Sequence, residues 1–272
     1  MKISYGCLKW SMVMCIFTVI YSGNVIADPD DEKKARLVYE VKASNASLQR
    51  RVTGPIVASV NGVAAEPVDS FVWDGNGSVP IKGWAKLKID PVANTGKIMA
   101  QWEDENGHWT YKQTMFVAPG HPTGARIGSS LSSTILEVGD SVMTNVYLHG
   151  DTTAGGPVMP TQLNLLTTWG PAEVTLNGES FDNPYDGPLP LWAGHTMTAV
   201  GARGEDRTIR TESGGIFSIM KKSEGVVDND DLEFHLVFHD APGPLTGNVP
   251  PPLSFFYHLT FEDVKISIKH ND

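Results

Sequence analysis

From Trp84 to Asp90 apolar and polar residues alternate one by one, so that Ala85, Leu87 and Ile89 fall on one side and Lys86, Lys88 and Asp90 on the other. A period of two is the signature of an extended strand with one face buried and one face wet. The same pattern recurs along the chain. It marks strands at 36–42, 56–60, 98–102, 109–117, 133–138, 141–148, 173–176, 196–200, 207–211, 216–221, 232–238 and 255–268. Asn61-Gly62, Asn106-Gly107 and Gly214-Gly215 supply turn chemistry between neighbouring runs. Helical patterning is confined to 161–168, where two turns could end at Gly170-Pro171. With 27 glycines and 18 prolines to make turns, the chain is predicted to be all-β, a large antiparallel β-sandwich of jelly-roll type with little helix. One domain over 36–272 is expected, with two smaller sandwiches split near 118–130 as the alternative. Two long Pro/Gly-rich loops, 150–192 and 241–253, are read as walls of a cleft.

The amino terminus has the order of a secretory signal. Lys2 and Lys9 are the only charges before Asp28, an apolar run follows from Trp10 to Tyr21, and Val25-Ile26-Ala27 offers a cleavage site. The run is shorter than the roughly 20 residues of a membrane-spanning helix, so no span is expected after cleavage. Residues 28–35 read as a polar lead-in. Cleavage after Ala27 would remove Cys7 and Cys15, the two cysteines of the chain. A mature chain without disulfides suggests a secreted or periplasmic protein from a cell that does not rely on them.

The net charge of −10 becomes −12 once Lys2 and Lys9 are taken from the 21 basic and 31 acidic residues. Such a balance repels nucleic acid and anionic lipid, and it suits cations as partners. No basic run offsets it, so nucleic-acid binding is not expected; whether a protein partner exists is not legible.

With no thiolate available, a metal site would have to use histidine, methionine and carboxylates. His149, His195, Met197, Glu233, His235, His239 and His258 all lie in or beside expected strands. Alternation puts Phe234, Leu236 and Phe238 on a core face and Glu233, His235 and His239 on the other. His195 and Met197 share a face in the same way. Neighbours two apart are about 7 Å apart and those four apart about 13 Å, so His235 and His239 cannot share an ion. Imidazole with thioether favours copper, particularly reduced copper. The leading expectation is therefore an exported protein that binds a metal, copper first, or a small ligand through His149, His195 and His235, with Met197 or Glu233 adjacent.

Two other readings compete. His149-Gly150-Asp151 with a distant histidine has the form of a non-haem iron triad on a jelly roll, and Arg203 or Arg207 could hold an acidic cosubstrate. The spacing is weakly specific, since it recurs at His270-Asn271-Asp272. Alternatively, Trp102, Trp109, Trp169 and Trp192 could present flat faces to a sugar or a protein in a non-catalytic binding module. No nucleophile elbow, zinc-protease helix or phosphate loop is present, so no reaction is assigned. Mass spectrometry of the exported protein should find Asp28 at its amino terminus and no thiol; an intact leader held in a membrane would contradict the export reading.

Overall fold

The structure of the protein, a computed structural model, describes residues 36–53, 59–67, 78–118, 122–127, 134–138, 140–149, 162–184, 191–202, 209–210, 216–217, 232–240 and 255–271. The expected leader and lead-in, the 241–253 loop, Arg203, Arg207, Gly150 and Asp151 lie outside the described residues. Residues 35–272 form one compact unit.

The strands are β1 (Arg36–Thr53), β2 (Ser59–Val60), β3 (Val63–Ala64), β4 (Glu66–Pro67), β5 (Val79–Asp90), β6 (Thr95–Asp104), β7 (Gly107–Gln113), β8 (Pro122–Ile127) and β9 (Thr134–Val138). They continue as β10 (Val142–Met143), β11 (Val146–Leu148), β12 (Gln162–Leu176), β13 (Glu179–Ser180), β14 (Trp192–Ala202), β15 (Ile209–Arg210), β16 (Ile216–Phe217), β17 (Glu233–His239) and β18 (Phe255–Asn271). No helix occurs among the described residues. The all-β expectation holds, but the expected sandwich does not. Strands β14, β17, β18, β1, β5, β6, β7 and β12 pair antiparallel in that order, and β12 pairs back onto β14. The sheet closes as an eight-stranded barrel. Closure gives every one of these strands two partners, so the ring exposes no row of unpaired backbone groups.

β12 makes the closure possible because it is long. Glu173–Leu176 pair with β7, Gln162–Thr168 carry β11 and β10, and the opposite edge of the strand runs along β14. The sequence expectation placed a two-turn helix here, ended by Gly170-Pro171, inside a loop of little regular structure. Both are corrected: a single strand passes through Gly170 and Pro171. The glycine has another purpose. Its φ is 153°, and a Cβ there would sit 2.3 Å from the Met115 carbonyl oxygen. A bare backbone lets the 115–117 segment approach and the Val117 amide donate to the Trp169 carbonyl at 3.0 Å. Pro171 falls where the second edge of β12 changes partner, so its missing N–H breaks no continuous ladder. The β6–β7 turn is likewise displaced by one residue: Asp104 pairs with Gly107, so Glu105 and Asn106 form the two-residue loop.

The barrel is filled with aromatic rings. Trp102 and Trp109 face each other across β6 and β7 and stack at 5.7 Å, with Phe238 stacked on Tyr257 at 4.9 Å beside them. Trp192, stacked on Phe181, closes the layer. These rings are buried, so Trp102, Trp109 and Trp192 are core residues and not ligand-stacking faces. Outside, β18, β1 and β5 carry Lys265, Lys42 and Lys86. On these three strands an apolar inner face with a charged outer face inverts the polarity of a membrane-spanning barrel.

One carboxylate ties the aromatic layer to the wall. The buried Asp104 side chain accepts from Trp109 Nε1 (2.8 Å), the Tyr257 hydroxyl (3.0 Å), the Asn106 amide (2.7 Å) and Arg51 Nη1 (3.0 Å). Tyr257 in turn accepts from Trp102 Nε1 at 2.8 Å. Burial, with the Asp104 charge beside it, holds the Tyr257 hydroxyl well above its ordinary pKa, so it stays a donor. Asp104→Ala would strand two buried ring donors and remove one of the two carboxylates that Arg51 contacts, the other being Glu105, and should cost about 3–5 kcal/mol in urea unfolding. Asp104→Asn, which keeps an acceptor oxygen, should cost less. A loss below about 1 kcal/mol for the alanine variant would contradict this role.

Candidate functional site

The outer face of β12, β14, β17 and β18 carries a second buried surface, and its chemistry is polar. Register sets it row by row. Thr167, Met197, His235 and Thr260 lie directly opposite one another across the four strands. The next row is Trp169, His195, Val237 and His258; the one after it includes His239 and Phe256. On β17 the alternation expected from sequence is present: Phe234, Leu236 and Phe238 belong to the barrel core, and Glu233, His235 and His239 point the other way. What sequence did not indicate is that this second face is also buried. His235 and His258 are fully enclosed, and Met197, Thr167 and Thr260 nearly so.

Four of the expected groups lie here: His149, Met197, Glu233 and His235. His149 follows β11, and its Nε2 lies 3.4 Å from the Met197 sulfur. Its φ is +61°, whereas every other described non-glycine residue with positive φ is an asparagine. Asparagine tolerates this left-handed region; for other residues it costs on the order of 1 kcal/mol. His235 Nδ1 lies 3.0 Å from His258 Nε2 and 3.3 Å from Thr260 Oγ1, and His235 Nε2 is 3.1 Å from Glu233 Oε2. The last contact is close but not aligned for a hydrogen bond.

Electrostatics keep both rings neutral. Burial lowers the His235 pKa to about 3. His258 is pushed well below its ordinary value, first by burial and then by His235, His149, His195 and Arg50 around it. The Glu233–His235 contact therefore involves a neutral ring and is not an ion pair. A neutral imidazole keeps a lone pair, which is what a metal or a donor proton needs.

His195 stacks on Trp169 at 4.8 Å, and its Nδ1 donates to the Thr168 carbonyl at 2.9 Å. That bond fixes the ring and leaves Nε2 as its basic nitrogen, the usual arrangement of an oriented histidine ligand. His239 is elsewhere: it pairs opposite Ala193, bonds the Asp240 carbonyl and lies over Phe256. His258, a candidate from its place beside an expected strand but not one of the histidines expected to converge, belongs to the cluster. Alternation of Phe255, Tyr257, Leu259 and Phe261 puts it on the second face; only the register brings it beside His235.

Among the described residues, no three His, Cys, Asp or Glu side chains are placed to hold an ion by themselves. A metal here would need the thioether of Met197. Several polar atoms nearby in the chain are enclosed without hydrogen-bond partners among the described residues: both ends of the Gln162 amide, Asn164 Oδ1, Thr198 Oγ1 and His235 Nε2. Such groups are rare in folded proteins, where ordered water commonly satisfies them.

The His235 shift has a consequence for stability. Its pKa is 6.5 ordinarily and about 3 when folded, so the unfolded chain binds the proton more readily between these values. The stabilisation is fully present above pH 6.5 and is lost as the pH falls towards 3. In metal-free protein, His235→Leu should make stability less steeply dependent on pH across this window; unchanged slopes in urea titrations would contradict the neutral buried ring.

No family model, curated protein or solved structure matches this chain.

Proposed function

We propose that the protein binds a copper ion in its reduced state on the outer face of the barrel, between the Met197 thioether and the His149 imidazole, with His258 or His235 completing the site. We further propose that it does so as an exported protein, where a cysteine-free chain must use these softer and neutral donors. The observation that carries the reading is the His149–Met197 contact, made by a histidine held in a left-handed conformation. Strain of this kind is kept where a side chain must be aimed.

The distances are compatible with shared ligation. Taking bonds as long as those of zinc, about 2.3 Å to sulfur and about 2.0 Å to nitrogen, a separation of 3.4 Å corresponds to an angle near 104° at the ion. The 3.0 Å between His235 and His258 serves equally for a hydrogen bond in the free protein and for two ligands on one ion. Thioether with imidazole selects Cu(I) over harder cations. The buried, water-poor setting favours the lower charge of the reduced ion.

Met197→Leu conserves volume, and its stability cost should stay under about 1.5 kcal/mol. It should nevertheless lower retained Cu(I), measured by elemental analysis after competition with a Cu(I) chelator. His149→Ala should do the same. Leu236→Ala, on the core face of β17, should instead cost about 2–5 kcal/mol of stability with metal content unchanged in the folded fraction. Equal copper retention by wild type, Met197→Leu and His149→Ala would reject the site.

A further inference from the structure

A separate part of the barrel wall carries a different chemistry. On the outer face of β18, β1 and β5, the residues Lys265, Lys42 and Lys86 stand directly opposite one another in a single row. Directly opposed side chains have Cβ atoms about 4.5–5.5 Å apart, and like charges so placed repel. Other lysines on this wall are neutralised: Lys88 and Lys269 contact Glu40. Lys42, Lys86 and Lys265 have no carboxylate partner among the described residues. The chain as a whole carries a charge of −10, so three uncompensated cations in one row are a local reversal of its field.

The adjoining row is Asp263, Ser44 and Trp84. Trp84 is half-buried, unlike the tryptophans enclosed in the barrel. The Lys86 ammonium lies 4.8 Å from the centre of its ring. Lys42, Ser44, Trp84, Lys86, Asp263 and Lys265 line an open groove of about 790 Å³, which Leu232, Glu262 and Val264 complete. Its carboxylates are Glu262, which accepts from Asn45 at 2.8 Å, and Asp263, which opposes Ser44 rather than a lysine. An ammonium beside an indole face matches a ligand that joins an anionic group directly to a flat ring. An anion on Lys86 would lay the ring that bears it against Trp84, and a repeat of that unit would reach Lys42 and Lys265.

We propose that this groove binds an acidic polysaccharide, with sugar rings stacked on Trp84 and their carboxylates on the Lys86–Lys42–Lys265 row. A bilayer surface fits less well, because the lysines line a concavity and not a protruding apolar edge. Nucleic acid, with its denser charge, meets the net negative charge of the rest of the protein. The site shares no residue with the His149–Met197 cluster, and its test does not involve copper.

The experiment is calorimetric titration of the full chain with polygalacturonate, with dextran as the neutral polymer, a single-stranded oligonucleotide, and vesicles containing anionic phospholipid. Polygalacturonate should bind and dextran should not, and the binding should weaken with added salt. Lys42→Gln combined with Lys265→Gln should weaken it about tenfold through loss of two charge contacts. Trp84→Ala should weaken it while leaving the salt dependence unchanged, which separates stacking from charge. All three positions lie on the outer wall, and circular dichroism of each variant should match wild type. Absence of polygalacturonate binding, or binding unaffected by these changes, overturns the proposal. Tighter binding of the oligonucleotide or the vesicles overturns it in favour of that other class.

Discussion

The pairing of β12 with β14 is the constraint on which the rest depends. It turns a run of antiparallel hairpins into a ring, and a ring has an inside. Once closed, every strand must commit one face to a narrow interior, which here is packed with tryptophan, phenylalanine and tyrosine. Asp104 then links that interior to β1 and to the β6–β7 turn, because ring N–H and O–H groups enclosed with the aromatics need an acceptor. Gly194 on β14 shows how tight the fit is: a Cβ there would lie 2.2 Å from the Tyr111 hydroxyl, which is bonded to Gln113.

The same closure decides what the other faces can be. On β18, β1 and β5 the outer face meets water and carries lysine. On β12, β14, β17 and β18 the outer face is buried a second time and carries threonine, methionine and histidine. A buried polar surface costs free energy unless its groups are partnered. Here the histidines partner one another and stay neutral, while amide atoms of Gln162 and Asn164 are enclosed without hydrogen-bond partners among the described residues. The left-handed backbone at His149 adds a further cost beside Met197.

Much of the fold was legible because period-two alternation records which side of a strand is buried. It placed the strands around Leu87, Tyr111, Leu236 and Leu259, and it separated Phe234 and Phe238 from His235 on β17. It failed where the chain obeys a distant partner. Gly170-Pro171 reads locally as a stop, yet the strand continues, because the 115–117 segment needs the glycine's bare backbone and β14 holds the other edge. The tryptophans read as possible ligand faces because sequence cannot show that Trp102 opposes Trp109 inside a ring. Trp84, which remains accessible, shares its parity with Lys86 and Lys88, the polar side of the same alternation.

By itself, then, the amino-acid sequence determined the strand class, the faces of individual strands, the lack of cysteine beyond Cys15, and the set of side chains from which a metal site would have to be drawn. These are local properties, carried by the chemistry of neighbours one or two residues apart. Tertiary structure decided sandwich against barrel, which histidines meet, and which lysines stand together uncompensated. Each of these is a matter of register between strands far apart in the chain: His235 meets His258 and Lys42 faces both Lys86 and Lys265 only after pairing. Register is set by the collective packing of the closed ring, since slipping one strand by one residue would turn its buried face outward.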